Sequence, residues 1–407
     1  MKFRTRLLSL LLAGVMAVSL AACTNQDAGE DTPPSETPSD SADGSAPESL
    51  LPADFTPDTS AADVCLATSG IPGDFTLATV NGTPVTAYLY FYWLTSNISY
   101  LESYYGMTPN SDDAMADYLK ETSLTAAVQY SLIAAKAKEL GYDLTQEQTD
   151  QLDGNLAMTM MMMGGEEAFR DELRKAGFDY DTFYSVNAAS YYFARLQDGL
   201  YGDRPTAEEM DAYLLENDIL RAKHILLMTV DPTTREPLDE AAIAEKKATA
   251  EDLLAQLQTS GDLLGDFDAL MNQYSEDSGL SSNPDGYTFT AGEMVSEFEE
   301  ATRELEYGQI SGLVESSYGY HIILRLDPDT EDARAEYRAN LVYDQLDAWT
   351  DEADIVLSEE YEALDVPLFY ETYMAYQNAF AAEAEAKAAA EAETGTDADA
   401  ASETPEN

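Results

Sequence analysis

The chain has 407 residues, enough for two or three modest cores, and with 45% apolar residues most of it can fold. Against 21 Lys+Arg stand 77 Asp+Glu, a formal net charge of −56. That balance excludes nucleic acid as a partner, because phosphate binding needs clustered cations, and it excludes adhesion of the protein surface itself to an anionic membrane.

At the N-terminus Lys2, Arg4 and Arg6 precede an apolar run over 7–20 that ends in Leu20-Ala21-Ala22-Cys23. A basic start, a short apolar run and small residues before a cysteine make a secretory signal, too short for a transmembrane helix. Residues 1–22 are therefore expected to be a signal peptide. The ending resembles a lipobox, which implies that Cys23 is lipidated and that the protein is an extracytoplasmic lipoprotein held to the cell membrane. With Cys23 acylated, Cys65 is the one remaining thiol, and no internal disulfide can form.

Residues 23–74 are rich in Asp, Glu, Ser, Thr, Pro and Ala, and the composition predicts a disordered acidic tether. A strand is expected over 75–80, followed by the turn signal Asn81-Gly82. Helices then dominate: 87–105, 115–140, one opened by the capping box Thr145/Gln148, 166–176, 182–197, and one capped by Thr206/Glu209. The run Met158 and Met160 to Met163 suits either an adaptable surface or a helical core, and core filling is the expectation. The aromatic segment Tyr88-Leu-Tyr90-Phe-Tyr92-Trp93 is likewise expected in a core.

From 221 to 327 the pattern becomes mixed: a strand at 222–230, helices at 238–261, 264–274 and 295–305, and strands at 313–315 and 320–326. Helix is expected to return after Pro328 and to run to about Leu357, with further apolar material to Phe380. Residues 381–407 are Ala/Glu/Asp/Thr-rich and are expected to be a disordered acidic tail.

The two histidines of the chain, His224 and His321, fall in this mixed region. Ala222-Lys-His224-Ile-Leu226 resembles the first-strand motif of the parvulins, and Tyr274-Ser-Glu-Asp277-Ser resembles their second motif. Gly292-Glu-Met294-Val-Ser-Glu-Phe298 is similar to the start of their pocket helix. Leu305-Glu-Tyr-Gly308-Gln-Ile-Ser311 and Tyr318-Gly319-Tyr320-His321-Ile-Ile323 are similar to their last turn and strand. One stretch departs from the pattern: where parvulins carry Gly-Asp-Leu-Gly, this chain has Pro284-Asp285-Gly286-Tyr287 before Phe289. The pocket leucine is absent or replaced by Tyr287.

The resemblance implies a peptidyl-prolyl cis-trans isomerase domain at 219–328, of order β-α-α-α-β-β, with His224, Asp277 and His321 catalytic and Phe289, Met294, Phe298 and Tyr318 binding substrate. Rotation about an X–Pro bond needs an apolar grip on the proline ring and a polar network at the imide, and no covalent step. No cofactor and no metal are expected, since two His and one Asp lack the ligand set usual for zinc. The wider chain resembles the PrsA family, extracytoplasmic foldase lipoproteins of Gram-positive bacteria. That implies an α+β protein in which the isomerase domain is inserted in a mostly helical chaperone domain formed by 75–218 and 329–380. Its partners would be unfolded or partly folded secreted proteins with X-Pro bonds; a homodimer stays open. The alternatives are a folding chaperone with a degenerate, non-catalytic parvulin domain, and a solute-binding lipoprotein. The charge suggests that basic clients are attracted, with an affinity that falls with salt.

Overall fold

The computed structural model describes residues 49–400. The expected signal peptide, Cys23, the first half of the expected tether and residues 401–407 lie outside the described residues.

The chain divides into two compact units, one from the segments up to Leu200 and from Val342 onward, the other Tyr201–Leu341. Boundaries expected at 218/219 and 328/329 thus move outward. The reason is a small cluster in which Met210 and Leu214 pack with Ile219 and Ala333, tying the preceding helix to the second unit.

In the first unit α1 (Val64–Ser69) is capped by Asp63, whose side chain accepts the Leu66 N–H. A tether reaching residue 74 is not what forms here. Val64 and Cys65 are 1% exposed, and Cys65 and Ile71 join a core with Leu77, Tyr90 and Phe91. Strands β1 (Thr76–Val80) and β2 (Thr83–Thr86) form a hairpin over Asn81 and Gly82, both at positive φ. Thr86 then caps α2 (Ala87–Tyr105), which buries Tyr90, Phe91 and Trp93. Helices α3 (Asp113–Glu139), α4 (Gln146–Met162, with the capping box of Thr145 and Gln148), α5 (Glu166–Ala176) and α6 (Tyr180–Tyr201) follow.

The methionine run does not fill a core. Met158, Met161 and Met162 are 59%, 72% and 74% exposed, and the buried side of α4 is Leu152 and Leu156. A run of consecutive residues winds right round a helix, so one apolar face cannot take all of it.

The second unit holds α7 (Ala207–Glu216), β3 (Leu220–Met228), α8 (Glu240–Gln258), α9 (Leu263–Tyr274), β4 (Tyr287–Phe289), α10 (Ser296–Glu304), β5 (Val314–Glu315) and β6 (Gly319–Arg325). Its sheet runs β4-β3-β6-β5, antiparallel throughout. The order differs from β-α-α-α-β-β by the short β4, which pairs Leu220 with Phe289. One sheet face carries Ile225, Leu227, Tyr320, Ile322 and Leu324 against Leu253 and Leu257 of α8 and Phe267 and Met271 of α9. The other packs Ala222 and Ile323 on Phe298 of α10. The fold is α+β, and both faces of the sheet are covered.

Helix α11 (Glu331–Glu352) leads back into the first unit. It ends sooner than Leu357, because Ile355–Leu357 form a strand, β7, on the free side of β1. After the short α12 (Glu359–Glu362), α13 (Val366–Ala400) continues as helix where a disordered tail is expected, with residues 381–390 all exposed. Its N-terminal part belongs to the core, where the Phe369 ring lies 4.6 Å from Phe91; Tyr361 of α12 lies edge-on to Tyr90 at 5.5 Å. Removing Phe369 leaves a void facing Phe91. Phe369→Ala is expected to lower stability by about 3–5 kcal/mol. Glu385→Ala, on the exposed stretch, should leave the urea midpoint unchanged, and comparing the two midpoints is the check.

Candidate active site

The register of β3 on β6 sets Leu226 opposite His321 and His224 opposite Ile323. The two histidines therefore stand diagonally on one sheet face, the face covered by α10. Their rings are nearly parallel, 13° apart with centroids at 5.3 Å, and the Nδ1 atoms approach to 3.1 Å. Gly319 starts β6 at φ 148, and a Cβ there would lie 2.2 Å from the Leu227 carbonyl oxygen, so glycine is required for the strand to close on β3.

Asp277 caps the 3₁₀ turn Ser278–Ser281. Its Oδ1 accepts the Gly279 N–H at 3.0 Å, and its Oδ2 meets His224 Nε2 at 2.9 Å and the Tyr287 hydroxyl at 2.6 Å. At the other end His321 Nε2 lies 2.7 Å from Ser316 Oγ, which also accepts the Tyr318 N–H at 3.1 Å.

These contacts admit one proton order when both rings are neutral. An ionised Asp277 only accepts, so His224 donates from Nε2 and accepts at Nδ1; His321 donates from Nδ1 and accepts the Ser316 hydroxyl proton at Nε2. Burial by itself would raise the Asp277 pKa. The hydrogen bonds from His224, Tyr287 and the Gly279 N–H outweigh it and hold the carboxyl well below the usual range. His321 is 3% exposed. Burial, helped by His224 beside it and opposed by Asp277, holds it down to about 3. Burial and the Asp277 carboxylate push the Tyr287 phenol up, so it stays a donor.

The apolar wall is Phe298, whose ring packs edge-on against His224 at 5.2 Å and against His321 at 5.8 Å. Phe289 lies 5.6 Å behind it. Both phenylalanines are almost closed to solvent, at 2% and 3% exposure, so they form a floor rather than a rim. Met294 is half-buried in the same cluster. It precedes α10, so its spacing of four from Phe298 is not a helix-face pair; the Glu299 carboxylate places it by accepting the N–H groups of Gly292 and Met294 at 2.8 and 3.0 Å. Tyr318 is half-buried with the Arg235 guanidinium 4.8 Å over its ring.

The sequence pattern missed Ser316, and it raised Tyr287 only as a replacement for the pocket leucine, not as a donor to Asp277. Tyr287 falls in the stretch that departs from the parvulin pattern, and it is delivered by β4. Gly286 before it sits at φ 95, where a Cβ would approach the Ala222 carbonyl oxygen to 2.7 Å. Ser316 carries no signal of its own beyond lying five residues before His321.

Residues 224–327 match the Rotamase family, the PPIC-type PPIASE domain. The sheet with its histidine pair is thus a parvulin-type rotamase domain. The homologues of the wider chain are foldases. It is 36% identical over 178 residues to the Foldase protein PrsA of Halalkalibacterium halodurans, covering 40% of this chain and 47% of that one. It is 28% identical over 208 residues to the Foldase protein PrsA of Caldanaerobacter subterraneus, covering 51% and 56%. The chain spans about half the length of these curated relatives. Among solved structures, PrsA from Bacillus subtilis is 17% identical over 75% of this chain and 93% of that one, with a TM-score of 0.24.

The His321 pKa gives a direction to acid unfolding. An unfolded His321 takes its proton near 6.5 and the folded one only near 3, so the unfolded chain binds more protons between these values. Stability of the second unit is expected to fall as pH drops from 6.5 towards 3, and to fall further below 3.8 as Asp277 protonates. His321→Gln should flatten the fall above pH 4, read as the slope of urea midpoint against pH. Tyr287→Phe removes one donor and should raise the Asp277 pKa, measured by carboxyl carbon-13 NMR titration.

Proposed function

We propose that this chain is a peptidyl-prolyl cis–trans isomerase and chaperone that assists exported proteins to fold outside the cytoplasmic membrane. The observation that carries the isomerase half is the closed polar chain Ser316–His321–His224–Asp277–Tyr287 laid across the Phe298 ring. The barrier to X–Pro rotation is about 20 kcal/mol, and it comes from the partial double bond of the imide rather than from any bond to be broken. A catalyst works by taking the imide out of water and holding the ring while the bond twists. Phe298, Phe289 and Met294 provide the apolar hold, and His224 and His321 keep a hydrogen-bonded polar surface beside it.

Asp277 has both oxygens committed to groups of the protein, so its role is to set the His224 tautomer rather than to touch substrate. Tyr287 stands where parvulins carry the leucine; its ring packs on the Phe289–Phe298 cluster while its hydroxyl joins the polar chain. Tyr318, with Arg235 over its ring and its N–H on Ser316, is read as a substrate contact.

The chaperone half is supported by the foldase relatives and by the exposed methionines of α4, which suit a surface that adapts to many sequences. Anchoring through a lipid on Cys23 would hold this activity on the outer face of the cytoplasmic membrane, where unfolded clients emerge. Among the described residues no helix is long and apolar enough to cross a membrane.

The test is a proline-limited refolding assay with the full chain. His321→Ala, Asp277→Ala and Phe298→Ala are each expected to lower the catalysed rate by about tenfold or more, roughly 1.4 kcal/mol of transition-state stabilisation. Rates equal to wild type in all three would sink the isomerase assignment and leave a non-catalytic chaperone.

A further inference from the structure

The sheet of the first unit has two edges, and they are treated differently. Its order is β2-β1-β7. On β2, Pro84 opposes Thr79, one residue along from the Val80–Thr83 pair that closes the hairpin, so its nitrogen faces outward and offers no donor. An edge closed in this way resists the addition of another strand.

The β7 edge has no such block. The Asn81 N–H bonds to the Asp354 carbonyl, and the Ser358 N–H bonds to the Leu77 carbonyl. With Thr79 opposite Val356 in the same register, Asp354, Val356 and Ser358 direct their backbone groups at β1. Ile355 and Leu357 consequently direct their N–H and C=O groups away from the sheet, two residues apart, the repeat that an added strand would match. The side chains here are apolar and open: Val356 is 56% exposed and Leu357 36%. Neither proline nor lysine interrupts 351–360, whereas Asp351, Glu352, Asp354, Glu359 and Glu360 flank the strand and are all exposed.

We propose that the β7 edge, Ile355 to Leu357, is a docking site at which an extended segment of an unfolded polypeptide adds as a further strand, an apolar stretch bordered by Lys or Arg. This rests on the chaperone role proposed above and gives it a binding mode. Backbone pairing accounts for tolerance of many sequences, because the ladder reads no side chains. The acidic flanks select basic neighbours and oppose a second copy of this chain, whose own β7 is flanked by the same five acids.

The probe is a short labelled peptide of alternating Val and Thr with a pair of lysines at each end, titrated into the full-length protein. Leu357→Pro removes the outward N–H at that position while leaving the bonds to β1 intact. It is expected to weaken binding by about tenfold, the loss of one or two ladder bonds, with the isomerase rate unchanged. Peptide N-methylated on alternate amides is expected to lose binding to the wild-type chain to a similar extent, which holds the test open should Leu357→Pro fold poorly. Raising salt from low to physiological should weaken the unmodified peptide. Equal binding of plain and N-methylated peptide, or of wild type and a folded Leu357→Pro, overturns the proposal. So does self-association of the wild-type chain that Leu357→Pro abolishes, since the occupant would then be a second copy. Suppression of aggregation of reduced, denatured lysozyme separates the two ideas. No suppression by wild type refutes the chaperone role itself, whereas equal suppression by wild type and folded Leu357→Pro refutes only the edge.

Discussion

Everything at the candidate site depends on the register of one strand pair. β3 and β6 share the longest ladder of their sheet, and their pairing puts His224 and His321 on one face with Nδ1 atoms 3.1 Å apart. Side chains alternate along a strand, so a slip of one residue on either strand would send one histidine to the face filled by Phe267 and Met271. The ladder is held by that other face: Ile225, Leu227, Tyr320, Ile322 and Leu324 are all buried against the helices, and a slip would bring His224, or His321 and Arg325, into their place. Hydrophobic packing on one side of the sheet thereby sets polar geometry on the other.

The polar chain is short and closed at both ends. Asp277 terminates it as an acceptor and Ser316 as a hydroxyl that also receives the Tyr318 N–H, so no member is left unpaired. A buried network of this kind is stable only when fully satisfied, and partial disruption leaves a bare polar group in a low-dielectric setting. Tyr287 adds a second donor to Asp277 and deepens its ionised state. The chemistry of bond rotation suits such a rigid arrangement, because nothing in it must give up a proton for the imide to turn.

Most of the secondary structure was legible from local rules. Helix starts at Thr145 and Thr206 followed from capping boxes, and the hairpin at Asn81-Gly82 from a dipeptide that tolerates positive φ at both positions. What was not legible shares one cause, dependence on distant partners. Strand β7 is three residues long and follows a helix; it is a strand because β1, some 275 residues earlier, offers an open edge. Helix α1 lies in a segment whose average composition reads as disordered, yet Cys65 and Ile71 join the core of Leu77, Phe91 and Phe369, and Val64 packs with Tyr376 and Phe380. The methionines of α4 went the other way, being apolar but left exposed once Leu152 and Leu156 had filled the available face.

The sequence by itself determined which residues could make a site: two histidines, one acid and two phenylalanines in motifs with the spacing of a parvulin. It also determined the α+β class, since periodicity is a local property. Only the tertiary structure decided what each residue meets. Asp277 meets His224 and the Tyr287 hydroxyl, and Phe298 lies edge-on to both histidine rings, because these contacts join segments far apart in the chain. Local sequence carries propensity and pattern. Which partner a side chain meets is set by the packing that brings those segments together.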